Sequence, residues 1–78
     1  MTIREHFLKI LYDLSERELR AIDRYEVGKQ LNLSKEETDA IVDQLIDRGR
    51  ITKIAGSSEI ILRLKEKKIL DSEWRRVE

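Results

Sequence analysis

Asp39, Asp43 and Asp47 stand four residues apart, a spacing that stacks three carboxylates on one face of a helix. Glu36 lies at the start of the same surface. Carboxylates gathered in this way can ligate a divalent cation, accept from a basic partner, or form a solvated charged face. No cysteine, second histidine or loop ligand accompanies them, so no metal or other cofactor is expected. Docking against a basic protein surface is the functional use the row fits best. The other reactive side chains are dispersed: His6 is the single histidine, Ser34 stands where a helix needs a cap, and Ser57 and Ser58 stand in a turn. No nucleophile, base or acid–base pair is assembled, and a non-catalytic protein is expected.

The composition narrows the choice further. Sixteen basic and sixteen acidic residues in 78 give a formal net charge of zero, and charged residues make up 41% of the chain. An ordinary soluble domain has roughly 25%, so the surface mixes both signs without a global field to draw it onto a polyanion. The 40% apolar share is too rich for a disordered chain. No apolar run is long enough for a signal peptide or a membrane span, and a cytoplasmic protein with no membrane partner is expected.

Three helix starts are written into the sequence. Thr2 with Glu5 and Ser34 with Glu37 have the S/T-x-x-E form of a capping box, and Asp23 with Glu26 imitates it, with Ile22 and Val27 as a hydrophobic staple. Ile3, Phe7, Ile10, Leu11 and Leu14 form an apolar stripe in the first helix. Ser15 to Arg20 is polar and ends it. The second helix is short and ends at Leu31, where Asn32 suits the left-handed closing position. The third carries Thr38, Ile41, Val42, Leu45 and Ile46 inward and stops before Gly49. Ile51 to Ala55 and Glu59 to Leu64 then read as two strands around Gly56-Ser57-Ser58, with Ile60, Leu62 and Leu64 on one face. From Lys65 onward the composition is helical again, with Ile69, Leu70, Trp74 and Val77 as a partial stripe.

Two capped helices joined through Leu31-Asn32-Leu33-Ser34, with Gly28 where they cross, look like a helix-turn-helix. Leu45-Ile46-Asp47-Arg48-Gly49-Arg50-Ile51 then leads into the hairpin. The whole, over about residues 2 to 64, resembles a winged helix-turn-helix domain of the kind found in small bacterial and archaeal regulators. The resemblance implies a mainly α fold with a small β-hairpin: a three-helix core and wing over residues 1–64, and a C-terminal helix over 65–78. It also implies that the last helix pairs two copies into a homodimer through Ile69, Leu70, Trp74 and Val77.

For function the resemblance implies a DNA-binding protein of the transcription-regulator type. Lys35 and Gln44 on the third helix would touch base edges or phosphates of double-stranded DNA, and Arg48, Arg50, Lys53 and Arg63 would anchor the backbone. The charges of the third helix oppose this. Ser34 to Arg50 holds three basic and five acidic side chains, and carboxylates are repelled by phosphates. The alternative is a protein-interaction module whose acidic face, Glu36, Asp39, Asp43 and Asp47, meets a basic partner.

Overall fold

The computed structural model describes residues 2–74. The expectations placed on the Trp74 side chain and on Val77 fall outside what is described. The elements are α1 (Ile3–Leu14), β1 (Ile22–Asp23), α2 (Arg24–Gln30), α3 (Lys35–Asp47), β2 (Ile51–Lys53), β3 (Glu59–Leu62) and α4 (Leu64–Trp74). Four helices and a three-stranded antiparallel sheet of order β1-β3-β2 form an α+β, winged-helix-like layout.

The helix starts form where the capping residues place them. Thr2 accepts from the Glu5 N–H at 3.2 Å while the Thr2 N–H donates to Glu5 at 3.1 Å. Ser34 and Glu37 make the same reciprocal pair at 3.1 and 2.8 Å. Asp23 caps α2 by accepting from the Tyr25 N–H at 2.9 Å, but Glu26 makes no return bond among the described residues. Asp23 belongs to β1 as well, and its carboxylate also accepts from the Ser58 hydroxyl at 3.1 Å.

The ends of α1, α2 and α3 share one device. At the end of α2 the Leu33 N–H reaches back to the Gly28 carbonyl and the Asn32 N–H to that of Lys29, with Asn32 at φ 57°. The end of α3 repeats the pattern, Arg50 to Leu45 and Gly49 to Ile46, with Gly49 at φ 70°. So does α1, Arg17 to Tyr12 and Glu16 to Asp13. This is the Schellman closure, which needs a left-handed residue at its hinge. In α1 that residue is Glu16, at φ 58°, followed by Arg17 at φ 62°. Both are side chains that this region disfavours.

Several sequence expectations are corrected. The buried face of α1 is Phe7, Leu8, Leu11 and Tyr12, while Ile3 is exposed and Ile10 and Leu14 are only partly covered. The face turns because Tyr12 is drawn inward, its hydroxyl donating to Asp71 of α4. Leu64 is exposed because it opens α4 instead of continuing β3. Leu70 is 2% exposed and packs in the core, so it is not available to a second copy. The strands are shorter than the sequence suggests, and β1 comes from a stretch read as the lead into α2. It pairs Ile22 with Ile60 and Asp23 with Glu59.

Gly28 is where α2 and α3 touch. A Cβ built there would collide with the Thr38 hydroxyl oxygen and lie 3.2 Å from both Thr38 carbons. Thr38 is itself buried and held by a 2.8 Å bond from its hydroxyl to the Ser34 carbonyl. In an open helix Gly28→Ala would stabilise by about 1 kcal/mol. Here the clash reverses the sign, and chemical denaturation should show a loss of about 1–3 kcal/mol. Adding Thr38→Ala, which removes the obstructing hydroxyl, should cost less than the two single changes summed.

The capping boxes give a pH dependence. Bonds from the backbone N–H and hydroxyl of Thr2 hold Glu5 below the ordinary carboxylate value of 4.5, and those of Ser34 do the same for Glu37. A depressed folded pKa contributes stability that is complete above the unfolded value and lost as pH falls through the folded one. The melting temperature should therefore fall as pH drops below about 4.5. Glu37→Gln keeps the bond without the titration and should flatten part of that fall.

Candidate nucleic-acid interface

The outward surface of α3 follows from its inward one. Thr38, Ile41, Val42 and Leu45 are buried, which turns Lys35, Glu36, Ala40, Asp43, Gln44, Asp47 and Arg48 into solvent. The hairpin stands beside it, β2 and β3 paired from Ile51 with Leu62 to Lys53 with Ile60. This places the helix and wing together as the sequence implies.

One residue joins them. Arg24, at the first position of α2, is 11% exposed in its side chain. Its backbone N–H and its Nε both donate to the Ser58 carbonyl of the wing loop, at 3.1 and 3.0 Å. Its Nη1 donates to Asp39 of α3 at 3.3 Å, and the Tyr25 hydroxyl donates to the same carboxylate oxygen at 2.8 Å. That bond, aided by burial and by the charge of Asp39, raises Tyr25 above the ordinary phenol value. The Lys35 ammonium lies 5.4 Å from the centre of the Tyr25 ring, a cation–π distance. Arg24, Tyr25, Asp39 and Ser58 thus tie the start of α2, the middle of α3 and the wing into one unit.

The structure divides the six DNA-contact candidates. Arg48, Lys53 and Arg63 are exposed and make no ion pair with another described residue. Lys35 is exposed above Tyr25, and Gln44 accepts from Arg4 of α1 at 2.8 Å on the surface. Arg50 is committed elsewhere. It donates to Glu66 at 2.8 Å, and the Glu66 side chain is only 6% exposed. The bond to Glu66 raises the Arg50 pKa, with burial opposing and the charges of Glu66, Glu5 and Glu73 adding to it. Removing Arg50 would strand the buried Glu66 carboxylate, so Arg50 is a structural link between the wing and α4.

The acidic candidates divide in the same way. Asp39 is paired with Arg24 and Tyr25, although its side chain remains 43% exposed. Glu36, Asp43 and Asp47 are exposed and make no ion pair among the described residues. Among the described residues no group of three or more His, Asp or Glu side chains could hold a metal ion, and no helix is long and apolar enough to cross a membrane. Arg24, Arg4 and the Tyr25–Asp39 pair carry no signal in the sequence that marks them as bridges. The bridges span 14 to 40 residues, beyond any local spacing rule.

Truncating Arg24 should loosen the wing without unfolding the helices. Arg24→Met removes both side-chain bridges, so hydrogen exchange at Ile60 and its neighbours should accelerate by a factor matching about 2 kcal/mol, while amides in the core of α1 keep their protection. No protein-family model matches this chain. No curated protein matches it. No solved structure matches it either.

Proposed function

We propose that the chain is a non-catalytic, DNA-binding protein of the transcription-regulator type. It would present α3 to the major groove and the hairpin to the flanking backbone. The observation that supports this best is the locked placement of α3 beside the wing, with the outer face of α3 left uncovered. Lys35 stands at its start, Arg48 at its end, and Lys53 and Arg63 at the two ends of the hairpin. Internal pairing removes one carboxylate from the balance, since Asp39 is paired with Arg24. The charges on this surface without an ionic partner among the described residues are then Lys35, Arg48, Lys53 and Arg63 against Glu36, Glu37, Asp43, Asp47 and Glu59. Cations and carboxylates this closely matched predict weak, salt-dependent affinity, with carboxylates available to accept from cytosine N4 where the sequence suits them.

A second reading rests on Glu36, Asp43 and Asp47, three exposed carboxylates that share a face and lack partners among the described residues. They would suit a basic protein surface.

One series of measurements separates the two. Binding to mixed-sequence duplex DNA, followed by fluorescence anisotropy, should weaken linearly on a log–log plot as salt rises. Lys53→Glu and Arg63→Glu should each reduce the salt slope by about one. Asp43→Asn should strengthen binding to DNA, whereas it would weaken binding to a basic protein. A failure to bind at low salt, where electrostatics are strongest, excludes the DNA reading.

A further inference from the structure

The eleven residues of α4 divide into two faces. Glu66 and Leu70 are buried, with Lys67 and Asp71 half-buried beside them. The opposite face carries Leu64, Lys65, Lys68, Ile69, Ser72 and Glu73, all exposed. Leu64, 55% accessible, and Ile69, 43%, are the two most exposed large apolar side chains among the described residues. Ile69 borders two adjoining grooves. One, of about 420 Å³, runs along α4 between Lys65, Lys68, Ser72 and Glu73. The other, of about 370 Å³, lies between α4 and the end of α3, walled by Arg48, Gly49, Arg50, Lys65 and Glu66.

The charges that line these grooves are unbalanced. Arg50 and Glu66 satisfy each other at 2.8 Å. That leaves the cations of Arg48, Lys65 and Lys68 against the carboxylate of Glu73, and none of the four makes an ion pair with another described residue. Asp47 precedes Arg48 and the charge of Glu5 reaches Arg50, but neither side chain lines either groove. An exposed isoleucine among three cations without ionic partners is a local exception in a chain of zero net charge. Its complement is a carboxylate-rich surface with an apolar side chain to cover Ile69.

We infer that this groove docks an acidic peptide segment of another protein. An apolar side chain of the peptide packs on Ile69, while flanking carboxylates meet Lys65 and Lys68 on one side and Arg48 on the other. Duplex DNA fits the groove poorly, because it offers no apolar cover for Ile69 and its phosphates would face Glu73. The groove also lies at the far end of the proposed reading surface. Arg48 follows the thirteen residues of α3, about 20 Å along the axis from Lys35. Arg50 stands at the base of the hairpin, where its carbonyl accepts from the Arg63 N–H. Arg48 is the residue that the two surfaces share; α4 belongs to the groove alone, so the docking site does not depend on the DNA reading.

A contact of this size is transient, with a dissociation constant on the order of 100 μM at low salt. The probe is a short synthetic peptide with one leucine between runs of glutamate, titrated into the isotope-labelled full chain and followed by NMR. Amide signals of Gly49, Lys65, Ile69 and Ser72 should move, and those of Lys35, Ala40 and Gly56 should stay fixed. Lys65→Glu combined with Lys68→Glu should weaken binding by about tenfold or more, and Ile69→Ser by about fivefold. Melting temperatures should change little, since all three side chains are exposed. Replacing the leucine of the peptide by serine should match the loss seen with Ile69→Ser. The absence of any shift at low salt and millimolar peptide overturns the proposal. So does equal binding of the leucine-free peptide, or shifts confined to the outer face of α3. Duplex DNA or anionic phospholipid vesicles that move the α4 amides when the peptide does not would assign the groove to nucleic acid or membrane, and overturn it as well.

Discussion

The absence of one side chain sets the separation of α2 and α3. With no Cβ at Gly28, the buried Thr38 can turn its hydroxyl back to the Ser34 carbonyl and fill the space against the α2 backbone. The turn between them is short because Asn32 takes the left-handed position and lets Leu33 bond back to Gly28. Gly28 therefore serves twice, as the contact point and as the carbonyl that closes the helix. The direction of α3 follows, and with it the set of side chains that faces water. A bulkier residue at Gly28 would alter the angle of every outward group on α3 without touching any of them.

The second joint is electrostatic. Arg24 reaches the wing loop and α3 together, and its neighbours Asp23 and Tyr25 each add a bond to the same two elements. Two chain segments that are far apart in sequence are held at fixed separation by groups from a third. Across the molecule, Arg50 and the buried Glu66 connect the end of α3 and the start of the wing to α4. Burying Glu66 costs hydration that the bond to the partly exposed Arg50 offsets, so Glu66 requires Arg50 in place. These two joints consume charges that an inspection of exposed residue types would assign to a partner. Asp39 on the acidic face and Arg50 on the basic one each have an internal partner, so part of the charge that sums to zero over the chain is already paired.

Much of this fold was legible locally. The Thr2–Glu5 and Ser34–Glu37 boxes, the Asp23 cap, the Asn32 and Gly49 closures and the hairpin around Gly56-Ser57-Ser58 all depend on residues within a few positions of one another, and all form. The buried face of α1 was misjudged because Tyr12 is apolar enough to bury only when a distant acceptor, Asp71, satisfies its hydroxyl. The strand β1 escaped notice because two residues carry no period; they are a strand only because Ile60 and Glu59 lie beside them. The closure of α1 at Glu16 was hidden for a related reason, since glutamate does not announce a left-handed conformation.

The sequence by itself determined where the capped helices start and where the chain reverses, because those are short-range demands of backbone hydrogen bonds, while the need for glycine at position 28 comes from the packing of α2 on α3. Only the tertiary structure decided which charges are spent and which remain. Arg24, Asp39, Arg50 and Glu66 look as exposed as their neighbours in the sequence, and nothing in their spacing pairs them. They meet because hydrophobic burial of Val27, Val42, Leu45, Ile51 and Ile60 brings their elements together, and an ion pair exists only once that packing has set the distance.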